Sequence, residues 1–451
     1  ISAKLQVPYL YRFELLGTRG LAPLVLEAGD SAGAAIREWS HVRLFSPWQY
    51  DVDAAARRLL TPTGWEAPPP TRLPTGADLV SDYLEPLAGT AALRDRIVTG
   101  ARVTAVSRAG MDKTHGAGRA DRPFLVRSVI GGEVVDHVAR AVVDASGTWR
   151  HRNPLGVAGL PAPGEDEAVP YLLGPLPDVL GVNRGRVAGR HVLVVGSGHS
   201  AANTLLSLVE LARTAPGTRV TWAVRGASVT RAYGGGDADG LPARGMLGAR
   251  LRSTVEAGEV ELLTGATITR IARHDDGLTV TLTGERELHV HAIAGATGFR
   301  PDLDLLRELR LELDPALEAP RLLAPLIDPE HHSCGTVPAH GADTLAHPAE
   351  PGFFVVGAKS YGRAPTFLLA TGYEQVRSVA AHLAGDDDAA RDLRLNLPET
   401  GVCSSAPPLA DEEGHAVVDP AGGCCGPSDE PELIGVPTGL RHGRAGGELR
   451  A

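Results

Sequence analysis

Short apolar runs alternate along the chain with longer segments in which apolar residues recur at helical spacing. This alternation is typical of βαβ units that build parallel sheets. A helix is predicted over residues 366–383, and a hairpin over 267–282 turns at Asp275-Asp276-Gly277. The other predicted strands lie at 24–26, 102–106, 124–126, 139–144, 192–195, 219–224 and 353–356. The pattern predicts an α/β fold.

The clearest motif follows the apolar run 192–195 directly and has the form G-x-G-x-x-A. Between a strand and a helix, this form is typical of dinucleotide binding, although a glycine turn without a ligand is the alternative. Gly196 permits the tight turn, Gly198 lets the backbone approach a pyrophosphate, and Ala201 allows close helix packing. Free N–H groups at the helix start then face the anion. The predicted site consists of Gly196, Ser197, Gly198, His199, Ser200 and Ala201.

Two strand ends carry charges that distinguish nucleotides. Arg225 follows the strand at 219–224 and predicts NADP, because an arginine accepts the 2′-phosphate where an acidic residue prefers NAD. Glu27 closes the strand at 24–26, at the position of an acidic ligand to the ribose of an adenine dinucleotide. For both residues the alternative is a solvated surface charge.

The glycine turn that should precede Glu27 by roughly twenty residues is missing, because no glycine occurs before Gly17. Either the N-terminus is garbled or truncated, or this site does not hold a pyrophosphate in the usual way. We favour the first interpretation, since the chain from Gly20 onward keeps the pattern of such a site.

Composition narrows the class of protein. The chain has 451 residues, of which 43% are hydrophobic and 22% charged, values typical of a globular protein of two to three domains. It has no run of eighteen apolar residues and no visible secretory signal, and its four cysteines favour a reducing cytoplasm over a disulfide scaffold. A net charge of −10 argues against a nucleic-acid partner. We therefore expect a cytoplasmic enzyme with a small-molecule substrate and no membrane association.

Together the motifs resemble those of flavoproteins with two dinucleotide-binding domains, in particular the flavin-containing monooxygenase-like group. The resemblance covers residues 18–385 and rests on segments 26–28, 36–39, 144–148 and 296–301 besides the glycine motif. It implies FAD and NADP as cofactors, with molecular oxygen as a further reactant. It also implies an α/β fold of two Rossmann-like dinucleotide-binding domains, with the NADP domain inserted in the FAD domain.

The resemblance also divides the chain, with a Pro- and Gly-rich connector at 154–185. The expected parts are the first part of the FAD domain at 1–165, the NADP domain at 186–292, the second part of the FAD domain at 293–385, and a Pro/Gly-rich tail with cysteines at 386–451. Its composition predicts that this tail is mostly irregular.

The resemblance implies roles for residues outside the glycine motif. Val103 would lie beside the adenine, and Gly357 with the helix near Thr366 would cover the ribityl chain and the flavin edge. Tyr361 and Arg363 would face the flavin ring, with a packing role as the alternative for each. The implied cofactor-binding residues are Glu27, Arg37, Trp39, Val103, Ser146, Gly147, Arg225, Thr297, Gly298, Gly357 and Thr366.

The chain departs from the monooxygenase group at two places. The F-x-G-x-x-x-H-x-x-x-W signature is absent from 171–190, and Gly357-Ala358 stands where the group has Gly-Asp. Segments 359–367 and 398–403 resemble more closely actinobacterial flavoproteins encoded beside arsenic-resistance genes. That narrower resemblance implies a metalloid or thiol-linked substrate.

The cysteines offer a second chemistry. No Cys-x-x-Cys occurs, but Cys424 and Cys425 are adjacent, with Cys403 upstream. Thiolates are soft ligands suited to metalloids and to redox exchange, and the alternative is that these are incidental cysteines of a tail. Cys334, near His331-His332, falls short of a metal ligand set.

The sequence thus predicts an FAD-dependent NADPH oxidoreductase, a monooxygenase of a soft nucleophile that contains sulfur, nitrogen or arsenic. Two alternatives remain. One is an NADPH-dependent flavin reductase of a thiol or metalloid that uses Cys424 and Cys425. The other is a flavin-free, non-catalytic protein that binds NADP or a metalloid.

Overall fold

Parallel strands form the centre of both halves of the chain in a computed structural model. The structure describes residues 22–234, 236, 239, 241–329, 337–364 and 368–395. Its strands are β1 Val25–Leu26, β2 Ile97–Val98, β3 Ala101–Arg108, β4 Phe124–Ile130, β5 Glu133–Ala139, β6 Val142–Asp144, β7 His191–Val195, β8 Arg219–Ala223, β9 Glu261–Leu263, β10 Ile268–Arg273, β11 Leu278–Leu282, β12 Arg286–Val290, β13 Ala292–Gly295 and β14 Phe353–Val355.

Helices cover these sheets. In chain order they are α1 Ala34–Arg37, α2 Trp48–Asp51, α3 Ala54–Leu60, α4 Gly76–Leu79, α5 Glu85–Ala88, α6 Arg184–Val187, α7 His199–Thr214, α8 Pro242–Glu256, α9 Ala324–Ile327, α10 Ala342–Leu345, α11 Leu369–Leu383 and α12 Asp387–Arg391. A π-helical turn, Val80–Leu84, joins α4 to α5. None of the helices in the described part of the chain is long and apolar enough to cross a bilayer.

The strands form five sheets. Three are parallel, with the orders β1-β2, β14-β6 and β13-β7-β8-β9, and two are antiparallel, with the orders β3-β4-β5 and β10-β11-β12. Because the antiparallel pairs need only short turns, β3 to β5 form a meander and β10 to β12 contain the predicted hairpin.

The second half has a three-layer core around β7. Val192 and Val194 pack into the cluster on the side of α7, whereas Leu193 packs into the cluster on the side of β10 to β12. This alternation follows from the two-residue period of a strand. All three side chains are fully buried, which explains why the run 191–195 is continuously apolar after its first residue.

The predicted fold class is confirmed, since the chain is a mixed α/β protein with a Rossmann-like arrangement of β7, α7 and β8. The predicted strands and the hairpin are present within a few residues of their expected bounds. The division into domains stays a prediction, and of the predicted tail at 386–451 the structure describes only residues 386–395, which include helix α12. Helix α12 packs on α11, and Arg377 donates a hydrogen bond to the carbonyl oxygen of Ala389 at 2.6 Å.

Candidate functional site

A cavity of about 1160 Å³ opens at the ends of β1 and β6 and along both strands. The structure brings four of the sequence-predicted residues to its walls, namely Glu27, Val103, Ser146 and Gly147. Glu27 is half-buried, and its Oε1 accepts a hydrogen bond from the N–H of Gly29 at 2.7 Å. Burial raises the pKa of Glu27 above its ordinary value, although this hydrogen bond opposes the shift.

The turn after β6 is held by an ion pair that no sequence motif indicated. Lys359 donates from Nζ to Asp144 Oδ2 at 2.6 Å and to Ser146 Oγ at 3.0 Å, and both charged side chains are buried. Asp144 Oδ1 also accepts the N–H of Ser146 at 2.9 Å. Burial alone would raise the pKa of Asp144, but the ammonium of Lys359 and these hydrogen bonds bring it below its ordinary value. The pair fixes the turn that carries Ser146 and Gly147 at the cavity.

Two segments cross side by side between the halves of the chain. The N–H of Asn153 donates to the carbonyl oxygen of Gly298 at 3.0 Å, and Thr297 Oγ1 donates to the carbonyl oxygen of Asn153 at 2.7 Å. Gly298 has φ of +89°, a left-handed conformation that suits glycine. Thr297 and Gly298 therefore lie at a chain crossing, as the resemblance implies, and their cofactor contacts stay a prediction.

The glycine motif has the geometry of a phosphate site. Gly196 has φ of +120°, and a Cβ at this position would lie 2.2 Å from the carbonyl oxygen of Ala296. Above Gly198 there is open space, so a ligand can approach the backbone. Helix α7 begins at His199 without a side-chain cap, which leaves its first N–H groups available to an anion. Ala201 is fully buried against the sheet, as close packing requires.

His199 connects this motif to the first half of the chain. Its ring meets the ring of Phe45 edge-on at a centroid distance of 4.9 Å. Burial lowers the pKa of His199 to about 3, so the imidazole is neutral at neutral pH. His199 therefore places a neutral ring, and no positive charge, beside the glycine motif at neutral pH.

Other predicted residues lie apart from the large cavity. Trp39 is buried, and its ring lies 6.4 Å from that of Trp149. Arg37 pairs with Glu85 and lines a separate cavity of about 240 Å³. Arg225 is exposed after β8, and Ser197 and Ser200 lie in the turn and at the start of α7.

The segment after β14 packs into a buried polar network. The N–H of Gly357 donates to Gln375 Oε1 at 2.8 Å, and Gln375 Nε2 lies 2.9 Å from Ser360 Oγ and 3.0 Å from His340 Nε2. Tyr361 is buried, with its Oη 3.4 Å from the same His340 nitrogen. Because His340 Nδ1 lies 2.9 Å from the carbonyl oxygen of Pro338, Nδ1 carries the proton and Nε2 accepts.

Sequence reasoning missed His340 and Gln375, since neither stands in a motif. The structure places Tyr361 against His340, which Gln375 also contacts. Arg363 lies partly exposed and pairs with Glu318 at 2.8 Å. Thr366 and all four cysteines, Cys334, Cys403, Cys424 and Cys425, fall outside the described residues.

The two cofactors differ in how well the described residues fit them. For NADP, the motif at 196–201 offers free N–H groups, open space and a glycine where a Cβ has no room. For FAD, Glu27 suits a ribose and Val103 an adenine, so the adenosine end has suitable residues. Among the described residues that line the large cavity, no strand leads through a G-x-G turn into a long helix, so the pyrophosphate cradle of FAD is not among them.

Comparison with known proteins agrees with this geometry. Residues 119–318 match the family model of the pyridine nucleotide-disulphide oxidoreductases. No curated protein matches the chain by sequence.

Solved structures share the fold at low sequence identity. Bacillithiol disulfide reductase from Bacillus cereus has a TM-score of 0.60 and 20% identity over 84% of this chain and 96% of that one. An FAD-bound cadaverine monooxygenase from Erwinia amylovora has a TM-score of 0.56 and 13% identity over 86% and 95%. A mutant flavin monooxygenase from Stenotrophomonas maltophilia has a TM-score of 0.51 and 22% identity over 85% and 96%.

The chain therefore has the fold of two-domain flavoprotein oxidoreductases. Together with the family match, this fold supports a flavin-dependent oxidoreductase for which FAD and NADP are the consistent cofactors.

Proposed function

We propose that the protein is an FAD-dependent NADPH oxidoreductase that transfers one oxygen atom to a soft nucleophile containing sulfur, nitrogen or arsenic. The observation that carries the proposal is the phosphate site at Gly196 and Gly198, joined by the crossing at Asn153 and Gly298 to the cavity at Glu27. In this proposal one nucleotide site lies in each half of the chain, and the segments that connect them are hydrogen-bonded to each other.

The residues have distinct tasks in this scheme. The N–H groups at the start of α7 bind the pyrophosphate of NADPH, and Arg225 binds the 2′-phosphate. Glu27 binds the ribose of FAD, while the pair of Asp144 and Lys359 keeps the turn at Ser146 in place. Bound FAD would supply the acceptor for the hydride of NADPH and the reduced group that activates molecular oxygen, one atom of which goes to the substrate and the other to water, while the protein supplies orientation and electrostatics.

A reductase that acts through Cys424 and Cys425 is the second candidate. The adjacency of the two thiols favours it, because a vicinal pair can bind a soft metalloid or form a mixed disulfide with a thiol substrate. A flavin-free protein that binds NADP or a metalloid is the third, and the glycine turn missing before Glu27 favours it.

Oxygen labelling separates these functions. The full chain, loaded with FAD, is given NADPH, labelled molecular oxygen and, in separate reactions, a thioether, an amine and a trivalent arsenical. The proposal expects NADPH oxidation to rise with one substrate and the label to enter its product. NADPH oxidation that continues without oxygen and is lost in a Cys424→Ser/Cys425→Ser double variant would instead establish the reductase. Failure to retain flavin in a chain that binds NADPH would favour the third function.

A further inference from the structure

The smaller cavity, of about 240 Å³, lies where the end of α1, the segment 149–152 after β6 and the connector 173–183 meet. Sites for drug-sized ligands typically have about 300–1,000 Å³, so a ligand that fits this cavity is smaller than a nucleotide. Trp149 lines both this cavity and the large one. Among the described residues of its wall there is none from the glycine motif 196–201.

Three side chains in the wall of this cavity carry hydrogen-bond donors that no described residue uses. They are the guanidinium of Arg152, the amide of Asn183 and the hydroxyl of Ser40. Asn183 and Ser40 are half-buried, where polar groups normally have a partner. These donors therefore favour a ligand that accepts hydrogen bonds.

The two carboxylates of the same wall are already used by the protein. Glu38 accepts a hydrogen bond from Trp149 Nε1 at 2.7 Å and another from Arg150 at 2.9 Å. Asp178 accepts from the backbone N–H groups of residues 181 and 182 at 2.9 and 3.2 Å. Since the acceptors are occupied and the donors are free, the cavity suits an anion better than a cation.

The guanidinium of Arg152 is positioned by a glycine rather than by an opposite charge. Gly174 has φ of +82°, and a Cβ at this position would lie 2.8 Å from Arg152 Nη1 and 3.1 Å from its Cζ. The guanidinium therefore lies directly against the backbone of Gly174. Desolvation lowers the pKa of Arg152, although the nearby charge of Glu38 opposes the shift. A desolvated cation without an ion pair is stabilised by an anionic ligand.

The other basic side chains of the wall are not available to a ligand in the same way. Arg37 pairs with Glu85. Burial lowers the pKa of His41 below its ordinary value of 6.5, although Asp178 opposes the shift, so this imidazole is neutral at pH 8. Among the described residues of the wall, Arg152 is thus the one free cation.

We propose that this cavity binds a small monocarboxylate, whose two oxygens pair with the guanidinium of Arg152 and whose apolar part lies against Leu173 and Leu176. The planar fork of an arginine matches a carboxylate, and one monoanion balances one free cation. A dianion such as phosphate would be repelled by the nearby charges of Glu38 and Asp178. The site is separate from both nucleotide sites and goes beyond the proposed function.

The test measures the binding of acetate to the full chain at pH 8 and constant ionic strength, by the broadening of the methyl NMR signal of acetate. Arg152→Gln removes the charge, and Arg152→Lys keeps the charge but loses the planar fork. Gly174→Ala should push the guanidinium aside, because the end of an arginine side chain can move. The matched controls are Arg307→Gln, whose side chain is 80% exposed, and Gly64→Ala, where φ is +78° and the space around a Cβ is open.

Acetate should bind the parent saturably, and inorganic phosphate should compete at least fivefold more weakly. Arg152→Gln and Gly174→Ala should each weaken acetate binding at least tenfold, and Arg152→Lys at least threefold. Both controls should stay within twofold of the parent. Binding that does not saturate, equal affinity in the parent and in Arg152→Gln, or phosphate that competes as well as acetate would each overturn the proposal.

Two further readouts keep the outcomes distinct. Tm and NADPH affinity show whether each variant is folded, and if Gly174→Ala is not, the two Arg152 variants decide the question. Saturating NADPH or FAD should leave acetate affinity within twofold, whereas displacement by either would place acetate in a nucleotide site and overturn the proposal. A chain that binds acetate as expected but fails to oxidise NADPH would refute the proposed function alone.

Discussion

Replacement of Lys359 by methionine tests how the turn at Ser146 is held. The substitution keeps most of the side-chain volume and removes the charge, which leaves the Asp144 carboxylate buried without its cation. The Lys359 side chain is 0% exposed and that of Asp144 only 6%, so solvent cannot compensate. Removing one partner of a buried pair typically costs about 3–5 kcal/mol of unfolding free energy. We expect Lys359→Met to fall in that range.

The assay is urea unfolding followed by tryptophan fluorescence. Of the five tryptophans, Trp39, Trp48, Trp65 and Trp149 lie in or against the core of the first half, so the signal reports that half. A double variant, Asp144→Asn/Lys359→Met, should recover at least half of the loss, because neither remaining group is charged. Arg213→Met is the matched control, since Arg213 and Glu259 are 65% and 34% exposed and such a pair contributes about 0–1 kcal/mol.

The pKa of Asp144 determines how the unfolding free energy of each chain changes with pH. The pKa of the Asp144 carboxyl is lower in the folded parent than its value of 3.8 in the unfolded chain. The stabilisation of the folded state by ionised Asp144 is therefore fully present above pH 3.8, and it is lost as the pH falls through the folded pKa. In Lys359→Met, burial would raise that pKa, and stability would instead be lost as the pH rises. The stability difference between the two chains should therefore narrow on acidification. A loss no larger than that of Arg213→Met, or a difference that widens at low pH, would refute the reasoning.

Four further substitutions test other parts of the structure. Burial raises the pKa of Asp51 from 3.8 to about 8, so the parent should lose stability as the pH rises between those values. Asp51→Asn should flatten this pH dependence of Tm in thermal melts, and parallel pH profiles of the two chains would contradict the expectation. Gly196→Ala should lower Tm and weaken NADPH binding at least tenfold by calorimetry, since the new Cβ would lie 2.2 Å from a carbonyl oxygen. Gly198→Ala should weaken NADPH binding and leave Tm unchanged, because the space above Gly198 is open. Equal effects of the two variants on Tm would contradict this geometry. Arg225→Asp should reduce the preference for NADPH over NADH in kcat/KM at least tenfold, and an unchanged ratio would place the 2′-phosphate elsewhere.

Local patterns account for the elements that the sequence predicted well. The apolar run before Gly196 requires a buried strand, and two glycines followed by Ala201 require a tight turn into a packed helix, so every determinant lies within the segment 191–201. The hairpin at Asp276-Gly277 is predictable for the same reason.

Long-range pairing accounts for what the sequence did not reveal. Asp144 and Lys359 are 215 residues apart, and they meet because β6 and β14 are neighbours in one sheet. The network of His340, Gln375 and Tyr361 likewise depends on how α11 packs behind β14, which no local pattern specifies.

Anaerobic titration of the FAD-loaded full chain with NADPH tests the central claim most directly. We expect the yellow flavin absorbance to bleach with one equivalent of NADPH, and to bleach far more slowly in the Gly196→Ala form of the same chain, because hydride transfer requires the phosphate site at α7. Flavin that stays bound and oxidised after NADPH has bound would contradict the claim that this protein couples the two nucleotides.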